Sequence, residues 1–163
     1  MAFDAYMKID GIPGESTDDK HKDWIEIAAL NHGVRQRASA SASSAGGGTS
    51  ERSDHRDVSV TLLCDKATPK LFEASCTGKH LKDITIELCR AGGDKQKYLE
   101  IKLEQAIVSS VDLTGQKGRF PQIQVTFNYG KIKWTYSHQR RSDGSSAGNI
   151  AAGWDLTTNK AVA

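Results

Sequence analysis

The stretch Gln122-Ile-Gln-Val-Thr-Phe-Asn-Tyr-Gly-Lys-Ile-Lys-Trp-Thr-Tyr-Ser-His138 decides the fold, because it reads as one long strand whose buried face changes sides partway along. Apolar and polar residues alternate, which is typical of a β-strand with one buried face. The apolar positions are odd before the change and even after it: Ile123, Val125, Phe127 and Tyr129, then Ile132, Trp134 and Tyr136. One extra residue in a strand exchanges its two faces. The pattern therefore predicts a β-bulge or a sharp bend at Gly130-Lys131, where glycine tolerates the required backbone angles.

The same alternation recurs elsewhere in the chain. Four shorter segments show it, at residues 3–9, 58–62, 84–88 and 99–103. Residues 23–37 repeat the change of face, because Ile25 and Ile27 lie on one parity and Leu30 and Val34 on the other. Long strands that bend in this way allow a small sheet to curl into a barrel. We predict a mainly β fold, namely a small closed or nearly closed β-barrel of bent antiparallel strands.

One short helix is predicted at about residues 68–77, on the flank of this barrel. Thr68 is a good N-cap, Pro69 suits the first helical position, and Gly78 suits the C-terminal stop. Leu71 and Phe72 can share one face of the helix. A helix this short needs to pack against the sheet in order to persist.

Two long extended loops are predicted, at residues 38–54 and 140–149, because both are rich in serine, alanine and glycine. Strands resume after each loop, so the whole chain, 1–163, is predicted to be a single domain. Gly46-Gly47-Gly48 lacks the Lys-Ser/Thr pair and the following helix of a phosphate-binding loop. The C-terminal strand is predicted at residues 154–159, with Trp154 docking it onto the barrel.

The charge balance excludes several classes of function. The formal net charge is +2, from 22 basic and 20 acidic residues, so neither nucleic acid nor an anionic membrane is a predicted partner. The N-terminus carries no basic n-region and no apolar h-region, which predicts synthesis in the cytoplasm without a cleavable signal peptide.

The cysteines and histidines do not predict a metal or cofactor site. Cys64, Cys76 and Cys89 are odd in number and have no C-x-x-C spacing, which argues against both disulfides and a zinc site. The histidines show no His-x-x-x-His spacing. The acids Asp18, Asp19 and Asp23 around His21 are interpreted as a solvated turn.

Five short motifs are distributed along nearly the whole chain. They are Met1-Ala-Phe-Asp-Ala-Tyr-Met-Lys-Ile-Asp10, Gly14-Glu15-Ser16, Ser75-Cys-Thr-Gly78-Lys79-His80, Arg90-Ala91-Gly92-Gly93 and Gly153-Trp154-Asp155-Leu156. In this order and spacing the chain resembles the Hcp family, the tube subunit of the bacterial type VI secretion system. The resemblance implies a structural protein of Gram-negative bacteria, with no enzyme activity. It implies hexameric rings that stack head to tail into an exported hollow tube. It also implies effector proteins carried and chaperoned in the lumen, and contact with spike and sheath components.

The resemblance also directs attention to the ring faces. The extended loop of such proteins reaches towards a neighbouring ring, and the turn after residue 90 is expected to meet the chain end of the next ring. The candidate ring-stacking residues are therefore Gly46, Gly47, Gly48, Thr49, Ser50, Gly92, Gly93, Asp94, Leu156, Thr157 and Thr158.

Two other functions are compatible with the same residues. A monomeric β-barrel that binds a small ligand in its interior would show the same alternation. An enzyme could use Cys76 as nucleophile and His80 as base, although no third residue that would orient the base is evident.

Overall fold

A computed structural model describes residues 3–37, 52–92, 95–140 and 142–162, and these residues form twelve strands and one helix. The helix, α1, spans Thr68–Thr77. In chain order the strands are β1 Phe3–Ile9, β2 Ile25–Ile27, β3 Ala29–Asn31, β4 Val34–Arg35, β5 Asp54–His55, β6 Val58–Leu63, β7 Leu81–Arg90, β8 Lys97–Thr114, β9 Gln122–Asn128, β10 Lys131–Gln139, β11 Ser146–Asp155 and β12 Lys160–Val162.

The strands are antiparallel, and the long strand β8 belongs to two sheets. In the first, here called sheet A, the order is β12-β11-β10-β8-β7-β1-β2. In the second, sheet B, the far half of β8 pairs with β9, followed by β6 and β3. Because β2 runs directly into β3, the path around both sheets returns to its start. The corner at Ala28 is closed by its N–H, which donates to the Thr61 carbonyl at 2.7 Å. The mainly β fold is confirmed, and the barrel is nearly closed.

The predicted bend at Gly130 is the other corner of the barrel. Strand β9 ends two residues before Gly130 in sheet B, and β10 begins after it in sheet A. The Gly130 N–H donates to the Glu104 carbonyl at 3.1 Å, and Gln105 beside it has a φ of 53°. A Cβ atom at Gly130 would lie 2.6 Å from Oε1 of Gln105. The bend in β8 at Gln105 and the break between β9 and β10 at Gly130 therefore lie next to each other in the barrel.

The short helix is confirmed, but its N-cap is not Thr68. The N-cap is Ala67, and Thr68 is the first helical residue. The Thr68 hydroxyl accepts the Asp65 N–H at 3.1 Å, while the Asp65 carboxylate accepts the Ala67 N–H at 2.9 Å. These two bonds form before the helix, so neither caps its first turn. The C-terminal stop is confirmed, because Gly78 has a left-handed φ of 64°.

Two predicted boundaries are wrong near the C-terminus. Residues 154–159 are not one strand, because β11 ends at Asp155, a turn covers 156–159, and β12 follows. The predicted loop 140–149 is shorter, since β11 already begins at Ser146. Of the predicted loop 38–54, residues 38–51 lie outside the described residues, and Asp54 belongs to β5.

Apolar side chains fill the barrel interior. Phe127, Met7, Leu103, Ile86 and Val125 are fully buried there. Burial of each such side chain contributes roughly 1.5–3 kcal/mol. A barrel that binds a small ligand would need this space for the ligand. In the ranges the structure describes, no helix is both long and apolar enough to cross a membrane.

Candidate assembly surfaces

The loop between β7 and β8, residues 91–96, carries the first group of predicted stacking residues. Gly92 is exposed, whereas Gly93 and Asp94 lie outside the described residues. The Arg90 N–H donates to the Gln96 carbonyl at 3.1 Å, and the Lys95 N–H donates to the Gly92 carbonyl at 3.2 Å. These bonds join the described residues on the two sides of the loop at one end of sheet A.

The turn at residues 156–159 carries the second group, which is organised by the Asp155 carboxylate. Its Oδ1 accepts the Thr157 N–H at 2.8 Å, the Thr157 hydroxyl at 2.5 Å and the Thr158 N–H at 3.2 Å. The hydrogen bond from the Thr157 hydroxyl is the largest influence on the pKa of Asp155, and it lowers that pKa. Burial raises the pKa and the two N–H groups lower it again, so that it lies below its ordinary value. The Leu156 N–H donates to the Gly130 carbonyl at 2.8 Å, so the turn is fixed to the barrel corner, while Thr157 and Thr158 stay exposed.

The loop and the turn lie at opposite ends of sheet A. In β8, Leu99 near the loop pairs with Tyr136, and Glu104 pairs with Lys131, whose other neighbour is Asp155. From Lys97, its first residue, to Glu104, β8 spans about 23 Å at the usual rise per residue. One copy therefore does not bring the two groups together, and their predicted contact between copies stays a prediction.

The third group, Gly46 to Ser50, lies outside the described residues, but the chain on both sides of it is placed. Strands β4 and β5 pair with each other, with Val34 opposite His55. The Arg52 guanidinium donates to the Leu156 carbonyl at 2.5 Å. The base of the extended segment therefore contacts the turn at 156–159, across 104 positions of sequence, and no local sequence pattern predicts such a contact.

Strand β11 presents an open edge that was also missed, because its first residues were assigned to a loop. Residues 146–152 are all exposed, and β12 pairs with β11 at residues 153–155 alone. Ile150 is 75% exposed and lies opposite Tyr136, which is 42% exposed. Among the described residues, the outer edge of 146–152 has no strand partner. An open strand edge that carries apolar side chains is suited to pairing with another chain.

A buried polar cluster lies on the outer face of β1 and β7, where the alternation predicted solvent. His21 is 3% exposed, and its ring stacks on Tyr6 with 4.2 Å between ring centroids. Its Nδ1 lies 2.7 Å from Oδ2 of Asp18, and its Nε2 lies 2.7 Å from Oε2 of Glu87. The interpretation of the acids around His21 as a solvated turn is therefore wrong for Asp18. The same stacking covers Tyr6, which the alternation placed on the exposed face of β1 and which is 3% exposed.

His21, Glu87 and Cys89 place one potential metal ligand each within 4.8 Å of one another. A tetrahedral zinc ion would hold its nitrogen and oxygen ligands about 3.3 Å apart. The 2.7 Å between His21 Nε2 and Glu87 Oε2 is instead a hydrogen-bond distance. Burial raises the pKa of the Cys89 thiol to about 11, which keeps it from being a ready thiolate ligand. The geometry is that of a hydrogen-bonded network.

The proposed nucleophile and base of the enzyme alternative lie in solvent at the end of α1. Cys76 and His80 are both exposed. Within the ranges that the structure covers, no hydrogen bond joins the Cys76 thiol to the His80 ring. A nucleophile needs a base within hydrogen-bond reach, and that base needs an orienting partner. The arrangement gives no support to catalysis by this pair.

Comparison with known proteins points in one direction. Residues 6–136 match the family model described as type VI secretion system effector, Hcp. The chain is 34% identical over 161 residues to Protein hcp1 of Pseudomonas aeruginosa, covering 98% of each chain. It is 30% identical to the Major exported protein of the same organism, covering 83% of this chain and 90% of that protein.

Solved structures are similar along the whole chain. The solved structure of a type six secretion system protein superimposes with a TM-score of 0.93 at 34% identity, covering 99% of this chain and 100% of that one. Hcp1 from Salmonella typhimurium superimposes with a TM-score of 0.80 at 28% identity, with the same coverage.

Proposed function

The chain belongs to the Hcp family of type VI secretion proteins, and we propose that it forms hexameric rings that stack head to tail into a hollow tube. The observation that carries the proposal is that two fixed surface elements lie at opposite ends of one sheet. The loop 91–96 and the turn 156–159 are separated by the half of β8 that lies in sheet A. A contact between two different surfaces of the same chain repeats from copy to copy. Such a contact along the sheet direction would stack one ring on the next.

Ring closure would use a different surface. The open edge of β11, with Ile150 exposed on it, supports a sideways contact between copies. A head-to-tail contact that closes on itself gives a ring, and one that does not close gives a filament. Lateral contacts that bury apolar side chains would then be stronger than axial contacts made by small polar turns.

Export and cargo complete the proposal. The tube would be made in the cytoplasm, leave the cell through the type VI apparatus, and contact its spike and sheath components. Effector proteins would be carried and chaperoned in the lumen. The similarity to a protein called Major exported protein supports export. The proposed role is structural rather than enzymatic, and the exposed Cys76 and His80 give no support to the enzyme alternative.

The first test is the native mass of the purified protein by light scattering, with negative-stain images of the same peak. We expect an annulus with the mass of a hexamer and a central hole. A monodisperse monomer at micromolar concentration would contradict the proposal and return attention to a monomeric barrel.

A deletion tests the extended segment separately. Removal of Gly46 to Ser50 is expected to leave the rings intact and to shorten or abolish tubes, because these residues are proposed to contact the next ring. Ring mass and tube length would be measured on the same preparation. Tubes of normal length from the deletion variant would contradict this role.

A further inference from the structure

The side chain of Lys95 ties the 91–96 loop to two other parts of the chain. Its Nζ lies 2.8 Å from the Tyr6 hydroxyl in β1 and 2.9 Å from Oδ1 of Asp18. It also lies 3.6 Å from Oδ2 of Asp4. Of the described residues in the loop, Lys95 is the one whose side chain reaches across β1. Its amide N–H, which donates to Gly92, holds the loop from inside.

Asp18 is shared between the loop and the buried cluster. Its Oδ1 faces Lys95 and its Oδ2 faces His21 Nδ1 at 2.7 Å, and its side chain is 11% exposed. His21 lies between Tyr6, on which its ring stacks, and Trp24, whose ring is perpendicular to it with 4.8 Å between ring centroids. The bonds from His21 and Lys95 lower the pKa of Asp18 to about 2, so the carboxylate stays charged at neutral pH.

The chain of contacts continues from His21 to Glu87 in β7 and from there to Lys97, which directly follows the loop. His21 Nε2 contacts Glu87, and Lys97 lies 3.4 Å from the other oxygen of Glu87 and 2.6 Å from Glu100. The loop is therefore held at Lys95, within it, and at Lys97, just after it. Lys95 contacts Asp18 and Lys97 contacts Glu87, and the His21 ring joins these two carboxylates.

We propose that Asp18, His21, Glu87 and Lys95 form a latch in which Asp18 positions Lys95 and Gly92, the described residues on either side of the tip of the loop, for ring stacking. This inference rests on the proposed stacking role of the loop. Ordering a glycine such as Gly92 costs more backbone entropy than ordering other residues, and binding to a second ring would have to overcome that loss. A loop already fixed in its bound conformation avoids most of that loss. The segment that carries Asp18 and His21 thereby becomes part of the stacking device without touching the next ring.

Asp18→Asn and Lys95→Met test the latch, and Asp19→Asn and Lys117→Met are matched controls. Asp19 is exposed beside Asp18, and Lys117 is exposed in another turn, with no ion pair among the described residues. The first readout is hydrogen exchange of the Lys95 amide in intact wild-type and variant rings. We expect exchange about tenfold faster in D18N and K95M, as for the loss of one charge-assisted hydrogen bond. Both controls are expected to match the wild type, and Lys95→Arg to restore most of the protection.

The second readout is tube length at equal ring concentration, which D18N and K95M are expected to shorten while the ring mass stays unchanged. Unchanged exchange of the Lys95 amide in D18N would overturn the latch itself. Faster exchange with tubes of normal length would overturn its link to stacking. A separate Gly92→Trp variant examines the proposed function. If its tubes are normal, or if wild-type rings never stack, the stacking role of the loop fails, and the exchange readout still decides whether the latch exists.

Discussion

Two acids at opposite ends of sheet A, Asp18 and Asp155, each accept hydrogen bonds that lower their pKa. The pKa of Asp18 falls from 3.8 to about 2, so the folded state binds its proton less readily than the unfolded state does. The stability that this carboxylate contributes is complete above pH about 4 and is lost as the pH falls through about 2. We therefore expect the free energy of unfolding to decrease in this acidic range.

Asp18→Asn should remove part of this pH dependence. In urea titrations, the variant is expected to be less stable than the wild type at pH about 6, and the difference should shrink towards pH about 3. The matched control is Asp19→Asn, because Asp19 is exposed and adjacent in sequence. A difference between D18N and the wild type that stays constant with pH would show that the Asp18 charge is not the cause.

The three thiols should differ sharply in reactivity. Cys76 is exposed, whereas Cys89 is fully buried and burial raises the pKa of its thiol to about 11. The thiolate is the reactive form, and with this pKa only about one Cys89 thiol in a thousand is ionised at pH 8. With a disulfide reagent, we expect Cys76 to be labelled rapidly in the folded protein, and we expect the Cys76→Ser variant to lack this rapid labelling. Cys89 should be labelled only when the protein unfolds. Fast labelling of Cys89 in the folded protein would contradict its burial.

At the scale of elements, the contact between the segment after β1 and strand β2 depends on Gly14. The Gly14 N–H donates to the Asp23 carbonyl at 2.8 Å. A Cβ atom there would lie 2.4 Å from the Trp24 carbonyl oxygen and 2.6 Å from Cα of Ile25. Both of these are backbone atoms, so no side-chain rotation can relieve the overlap.

Gly14→Ala is therefore expected to destabilise the fold by about 1–3 kcal/mol, measured by urea unfolding. Gly115→Ala is the matched control, because a Cβ atom at Gly115 meets nothing within 4 Å. The control should be neutral or slightly stabilising, since it reduces the freedom of the unfolded chain. Equal stability of the two variants would show that the 13–24 segment shifts freely away from β2.

Periodicity predicted the elements with one buried face and missed those without one. The bend at Gly130 was predicted because the apolar positions change parity there. Strand β11 was missed because residues 146–152 are exposed on both faces and include small residues, which leaves no alternation. The sequence did not predict the contacts of the latch, because His21 and Glu87 are 66 positions apart and a buried histidine has no sequence signature of its own. The Arg52 contact with Leu156 is equally long-range.

For the whole molecule, the nearly closed barrel leaves the open edge of β11 as the surface on which ring formation depends in our proposal. Because the chain passes from one sheet to the other at Ala28 and Gly130, most strand edges are hydrogen-bonded to a neighbouring strand. The sheet nevertheless continues past β8 into β10, β11 and β12, and so keeps an edge that a fully closed barrel would lack. Ile150 is the most exposed of the large hydrophobic residues described there.

Ile150→Lys is expected to shift the hexamer towards monomers without unfolding them. Ile150 is 75% exposed in a single copy, so its replacement removes little from the barrel core, whereas a lysine in a lateral contact would be buried without a partner. Light scattering at several concentrations would report the mass, and thermal melting would report the fold. Ile150→Val is the conservative control and should keep the rings. Rings of full mass from Ile150→Lys, at every concentration, would show that this edge faces solvent and that copies meet through another surface.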